Sequence, residues 1–383
     1  MEISTGFEGG SILVDDLARE DDIRLRLKPD NASDFNQWFF FRLTGVRDRA
    51  LGLNITNADG ANTAKGLVGM PQPWDGYRAY ASHDLRRWFR LPTWFDGQTL
   101  RMEARPAHDQ LYVAHFPPHT MARHRLLVAR AAARPGVALE VLGRTPDGQD
   151  LDLLRVGEPG AGKRVCWLVA RQHPSETQGS WCLEGLLARL LDPADGTAVW
   201  LRQRAVFYIM PNINPDGSRR GNTRSNALGQ NLNRVWHMPT MDDAPEVVLV
   251  NRRMAETGCD FFLDAHAWSG TNNFAIGPYN VPAWPGRLER LWAGYDAALA
   301  TATPEYRPGN PYPGGGPAPG QADPGMSWNH VGQAYNALAV LYELIAKDNE
   351  VLPDPELGWT ADKCRRFGAA TLDALRAVLP DLR

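Results

Sequence analysis

The chain has 383 residues, 43% of them apolar and 22% charged, with a formal net charge of −3 from 41 Lys+Arg against 44 Asp+Glu. At about 150 residues per domain, this is the length of two or three ordinary globular domains, with enough chain to bury a core unaided. The near-balanced charge argues against a nucleic-acid partner, which selects for basic excess, and no stretch reaches the ~18 apolar residues of a membrane span.

The first ten residues, MEISTGFEGG, carry neither a basic region nor an apolar run, so no signal peptide is expected. Residues 23–27 (IRLRL) alternate apolar and basic side chains, the period of a half-buried strand. Residues 37–43 (QWFFFRL) are aromatic-rich and run into the Thr44-Gly45 turn signal, and 51–56, 100–104 and 110–116 continue the pattern. Short strands separated by Asn/Asp/Gly clusters predict an antiparallel β-sandwich over residues 1–118.

The register changes at Pro117-Pro118. Residues 119–134 have helical spacing through Met121, Leu126, Leu127 and Ala131 and stop before Pro135-Gly136. Strands at 138–143 and 151–156 flank the turn signal Pro146-Asp147-Gly148. Near-continuous apolar runs at 164–170, 205–210, 260–265 and 338–345 read as strands buried on both faces. Between and after them, 181–191, 244–257, 284–302 and 362–378 read as helices. This order predicts an α/β domain over residues 119–383, with a mixed central sheet flanked by helices. Residues 304–325 are rich in Pro and Gly, either a functional loop or a surface excursion.

The cysteines Cys166, Cys182, Cys259 and Cys364 show no C-x-x-C spacing and are expected to be free buried thiols, which suits a reducing compartment and a cytoplasmic location.

Among nine histidines, only His173 has a Glu three residues on, in His173-Pro-Ser-Glu176 just after the strand at 164–170. The carboxyl end of a strand is where α/β sheets place their sites. Catalytic zinc typically takes three protein ligands and keeps one position open. His266, closing the strand at 260–265, is the best third ligand, with Asp264 either orienting a ligand or acting as a structural partner. His108, His115, His119 and His124 straddle Pro117-Pro118 and read as surface or packing residues. His83, His237 and His330 lack supporting context, with His237 and His330 still open as cleft residues.

A second constellation follows the strand at 205–210: Asn214-Pro-Asp-Gly217, Gly221-Asn-Thr-Arg224 and Leu232-Asn-Arg-Val-Trp236. Arg224 and Arg234 are either surface charges or arginines set for bidentate carboxylate recognition. Glu343 interrupts the last apolar strand, and an acid there must be paired, ligated or catalytic.

Taken together, the order H-P-S-E, N-P-D-G, G-N-T-R, L-N-R-V-W, a strand-closing His and a late E-L strand resembles the M14 zinc metallocarboxypeptidases, in particular the cytosolic carboxypeptidase subfamily and its bacterial members. That subfamily also carries an N-terminal β-sandwich with a strand like Gln37-Trp-Phe-Phe-Phe41, so the resemblance spans nearly the whole chain. It implies that His173, Glu176 and His266 bind one Zn2+ with a water in the open position. It further implies Glu343 as general base and acid, Arg224 as the oxyanion donor, and Asn233 with Arg234 as the site for the terminal carboxylate. The implied substrate is a peptide or protein C-terminal tail.

Departures from the digestive carboxypeptidases are Pro174 and Ser175 where those enzymes carry an Arg, and Ala267-Trp268 after the last histidine. No tyrosine stands about two dozen residues before Glu343; the nearest one upstream of that position is Tyr312. Side-chain selection is expected from 267–330, with Met326 near the selecting position and Arg287 and Arg307 as available cations. Two other readings stand beside this one: a zinc amidohydrolase of N-acyl amino acids, and a binding protein on an inactive catalytic fold. The sandwich is expected to limit access to the cleft or to bind a partner.

Overall fold

The computed structural model describes residues 1–61, 72–309 and 317–383. Tyr312 and the centre of the Pro/Gly-rich stretch lie outside the described residues. The first ten strands are β1 (Glu2–Ser4), β2 (Leu13–Asp16), β3 (Ile23–Arg26), β4 (Phe40–Thr44), β5 (Leu51–Ile55), β6 (Tyr80–Ser82), β7 (Phe89–Arg90), β8 (Thr93–Phe95), β9 (Leu100–Ala104) and β10 (Gln110–Ala114). They form two five-stranded sheets, ordered β1-β4-β10-β6-β7 and β2-β3-β5-β9-β8. Every pairing is antiparallel except β3 with β5, where Ile23 lies beside Leu53 in parallel register. The alternation read from sequence decides which face is inside. In β3, Ile23 and Leu25 are buried while Arg24 and Arg26 are exposed. Leu25, Leu53, Met102 and Val113 from the two inner faces belong to one core.

The aromatic stretch at 37–43 enters its strand later than its composition suggests. Gln37 and Trp38 direct their backbone N–H groups to Thr223 Oγ1, at 2.9 and 3.0 Å, so pairing begins only at Phe40.

The second half begins with α1 (Met121–Ala132), capped by Thr120, whose hydroxyl accepts the Arg123 N–H. The chain continues through β11 (Val137–Arg144), β12 (Asp150–Val156), β13 (Arg164–Ala170), α2 (Thr177–Leu190), α3 (Gly196–Arg204), β14 (Ala205–Met210), α4 (Pro215–Arg220) and α5 (Pro245–Thr257). It closes with β15 (Phe261–Trp268), β16 (Phe274–Ile276), α6 (Glu289–Ala302), α7 (Ser327–Tyr335), β17 (Leu338–Ile345) and α8 (Ala361–Val378). One seven-stranded sheet, ordered β11-β12-β14-β13-β15-β17-β16, forms the centre. The four inner strands β14, β13, β15 and β17 are parallel, and β11, β12 and β16 join antiparallel at the edges. The inner strands are those with unbroken apolar runs: every residue of β14 and β17 is buried, as a sheet covered on both faces requires. Each fully buried Leu, Ile or Phe contributes about 1.5–3 kcal/mol, and this central core is the larger of the two.

All four cysteines are free and buried in this half. Among the described residues no helix is long and apolar enough to cross a membrane.

Candidate active site

The carboxyl ends of β13, β15 and β17 open into one cleft of about 470 Å³. After β13 the chain turns sharply at Arg171, which adopts a left-handed φ of 64°. That conformation costs a non-glycine residue about 1–2 kcal/mol, and it is held by the buried guanidinium, which donates to the His119 carbonyl at 3.1 Å and Ser218 Oγ at 3.0 Å. The turn delivers His173 to the cleft. Glu176 follows as the residue that opens α2. His266 comes from β15. The separation of α2 from β15 is set by Gly179, where an added Cβ would stand 2.2 Å from the Ala265 carbonyl oxygen.

Ligand atoms of His173, Glu176 and His266 all lie within 4.8 Å of one another. His173 Nδ1 is 2.8 Å from Glu176 Oε1, His266 Nδ1 is 2.7 Å from Glu176 Oε2, and the two Nδ1 atoms are 3.1 Å apart. The far nitrogens explain this convergence. His266 Nε2 lies 2.9 Å from Asp264 Oδ2, and His173 Nε2 lies 3.0 Å from Asn231 Oδ1. The tautomer that satisfies both acceptors carries its proton on Nε2 and turns both Nδ1 lone pairs to one point. Two bare lone pairs this close repel, whereas two nitrogens each about 2.0–2.1 Å from a tetrahedral ion stand about 3.3 Å apart. The donor set therefore fits a divalent cation such as zinc.

The supports are themselves held. Asp264, fully buried, also accepts from Gln172 Nε2 and Ser327 Oγ, and Gln172 Oε1 accepts the Trp236 indole N–H at 2.7 Å. Burial opposes ionisation of Glu176, but positive charge on the histidine pair outweighs it and holds the carboxyl far below its usual range, and burial likewise opposes charge on His266 but is outweighed by Asp264 and Glu176, which raise its pKa. Burial and then the Arg224 charge push His173 down to about 4, which keeps the ring neutral and able to ligate.

The second constellation reaches the same cleft. Arg224, Asn233 and Arg234 line it with the histidines, Asn233 Nδ2 lying 3.5 Å from His266 Nε2, and Glu343 lines it from β17. Asn233 Oδ1 accepts the Ser327 N–H at 2.9 Å, which fixes its amide, and Arg234 donates to the Asn233 carbonyl at 2.7 Å. The Arg224 guanidinium lies over the Phe35 ring, 5.5 Å from its centroid. Met326 also lines the cleft. Arg287 and Arg307 are committed elsewhere, to the Asn336 carbonyl and the Glu350 carboxylate respectively.

Several cleft residues carry no signal in the sequence. His115, read there as surface or packing, is a cleft wall; its neutral ring stacks on Tyr77 with centroids 5.3 Å apart. His330 instead packs beside Trp236, and among the described residues neither it nor His237 lines the cleft. Gln37 arrives from the sandwich, and Lys347 from just beyond β17. Lys347 donates to the Gln72 carbonyl at 2.9 Å, and burial lowers its pKa to about 8.

With this geometry in view, comparison with known proteins defines the class. A model described as the cytosolic carboxypeptidase N-terminal domain matches residues 3–116, and one described as zinc carboxypeptidase matches residues 124–274. A metallo-carboxypeptidase from Pseudomonas aeruginosa, solved in complex with (2-guanidinoethylmercapto)succinic acid, is 36% identical over 100% of both chains, with a TM-score of 0.94. A metallo-carboxypeptidase from Burkholderia cenocepacia is 34% identical over 99% of both chains, with a TM-score of 0.92. An uncharacterized protein of Zymomonas mobilis is 38% identical over 385 residues, covering 100% of this chain and 97% of its own. The chain belongs to the M14 zinc carboxypeptidase family. The metal-ligand cluster of that class is assembled here, and the protein is a peptidase rather than an inactive relative.

Proposed function

We propose that this enzyme is a zinc-dependent member of the cytosolic carboxypeptidase subfamily, trimming single residues from the free C-terminus of peptides or protein tails. The subfamily assignment draws on the match of residues 3–116 to that subfamily's N-terminal domain. We take residues 1–118 as the sandwich domain and 119–383 as the catalytic domain. A cytoplasmic location suits the four free, buried thiols.

The carrying observation is that the His173–Glu176–His266 cluster shares one cleft with a carboxylate on the strand next to β15 and with two arginines, Arg224 and Arg234. His173, Glu176 and His266 would hold one Zn2+, which supplies Lewis acidity and lowers the pKa of a water toward ~7. Glu343 accepts the proton of the attacking water and returns it to the leaving amine. Arg224 places its charge where the scissile carbonyl oxygen becomes negative, a role worth about 3–4 kcal/mol for one well-placed donor. Asn233 and Arg234 bind the substrate's terminal carboxylate, so that only the last peptide bond reaches the reacting groups. The succinic acid carried by the ligand of the Pseudomonas relative supports a cleft that accepts carboxylates.

The test is a series of peptides differing only in the last residue, incubated with zinc-loaded protein and read by mass spectrometry, with Glu343→Gln as control and a chelated sample alongside. Loss of single C-terminal residues in the zinc-loaded wild type alone is expected. Intact peptides alongside rapid hydrolysis of N-acetyl-aspartate would instead favour an N-acyl amino acid amidohydrolase.

A further inference from the structure

The loop carrying Arg224 is held by a residue of the other domain. Asp30 follows β3 in the sandwich, yet its carboxylate reaches the catalytic half. Oδ1 accepts the Thr223 N–H at 2.5 Å, and Oδ2 accepts the N–H groups of Arg224 and Ser225 at 2.7 and 2.8 Å and the Ser225 hydroxyl at 2.7 Å. Three successive backbone donors on one carboxylate fix the main chain on both sides of Arg224. Asp30 is only 6% exposed. Taking a carboxylate out of water costs several kcal/mol unless such donors replace the lost hydration.

The same sandwich loop controls the arginine side chain. Asp30 donates its own N–H to the Phe35 carbonyl at 2.8 Å, closing the loop, and the Phe35 ring lies under the Arg224 guanidinium. Thr223 Oγ1 accepts from the Gln37 and Trp38 N–H groups. Gly221, at φ 72°, passes so close to the N-terminal strand region that an added Cβ would stand 2.8 Å from the Gly9 carbonyl. Among the described residues, no carboxylate forms an ion pair with Arg224. Asp30 thus grips the arginine by its backbone and leaves its positive charge unneutralised toward the cleft.

We propose that Asp30 is a positioning residue for Arg224, so that the sandwich completes the catalytic site instead of only shielding it. This rests on the oxyanion role proposed for Arg224. The test is a double-mutant cycle in the full-length, zinc-loaded enzyme, with Asp30→Asn and Arg224→Ala made singly and together. The readouts are kcat and KM on a short free-acid peptide, zinc stoichiometry and urea midpoint. A misplacement of about 1 Å costs up to ~10²-fold. Asp30→Asn is therefore expected to lower kcat roughly tenfold to a hundredfold with KM within about twofold, and to cost nothing further in the Arg224→Ala background.

An equal loss in both backgrounds, or no loss of kcat in a folded Asp30→Asn enzyme, overturns the proposal. Unchanged kcat in Arg224→Ala alone overturns the Arg224 reading itself and is separately visible. Should Asp30→Asn not fold, Ser225→Ala removes one donor to the same carboxylate and runs through the same cycle with the same criteria.

Discussion

His266 and Glu343 stand side by side in register on the adjacent parallel strands β15 and β17. Side chains paired this way emerge on the same face of the sheet, so a metal-ligating imidazole and a carboxylate share one cleft wall without any loop having to bring them together. The pairing ties the proposed general base to the metal-ligand cluster through the backbone ladder of the buried sheet. Replacing Glu343 by Gln preserves size and strand pairing and removes only the proton acceptor. The expected outcome is a fall in kcat of roughly 10²–10⁴-fold, with zinc stoichiometry unchanged by metal analysis.

Asp264 lies two residues before His266 on the same strand face and accepts its Nε2 at 2.9 Å. An Asn there keeps the volume but loses the charge that fixes the ring's tautomer. Asp264→Asn is expected to weaken zinc binding roughly 10–100-fold, measured by competition with a chelator of known affinity. Unchanged affinity would mean that Gln172 and Ser327 hold His266 in place without the charge.

Gly179 is where α2, which follows directly on Glu176, presses onto β15, which carries His266. Its missing side chain leaves room for the Ala265 carbonyl and for Ala170, whose Cβ would be 3.2 Å from an added methyl. Gly179→Ala is expected to destabilise the fold by about 1–3 kcal/mol through overpacking, seen as a lower urea midpoint. It should also weaken zinc binding, because relief of the clash moves Glu176 away from His266.

Stability should fall in mild acid through two buried rings in the 108–124 stretch. Burial pushes both His115 and His119 down from 6.5 to about 4, with Lys347 reinforcing the shift at His115 and Glu184 partly opposing it at His119. Between those values the unfolded chain binds more protons than the folded one. Their contribution is therefore complete above pH 6.5 and is lost as pH falls toward 4, at up to about 1.4 kcal/mol per pH unit for each ring. Urea midpoints at stepped pH should show this slope, and His115→Gln should flatten part of it.

The sequence was most legible where one physical rule acted alone. Strands β13, β14 and β17 begin and end as their apolar runs do, because burial on both faces selects apolar residues nearly throughout, which is also why Glu343 stood out in β17. His173 follows the end of β13 and His266 lies near the end of β15, which runs on to Trp268 rather than closing at 265, so their positions along the chain already implied convergence, and Glu176 came with His173 through its spacing. Legibility failed where one segment answers to another far away. Asp30 looks like a surface turn residue until the loop 193 residues later is folded against it. Asn231 is one of several polar residues in a dense loop; its Oδ1 caps the turn at 232–234 by accepting the Asn233 N–H, and only the folded chain brings the His173 ring to the same oxygen. The short edge strands β7 and β8 and the nine-residue helices α3 and α7 are too brief to show a period above noise.

The most direct check of exopeptidase action uses one peptide in two forms, with a free C-terminal carboxylate and with a C-terminal amide, followed by mass spectrometry over time with zinc-loaded enzyme. In the role proposed for them, Arg234 and Asn233 require the carboxylate, so stepwise loss of single residues from the acid, with the amide left intact, is the expected result. Cleavage of both forms at similar rates, or cuts within the peptide, would contradict it.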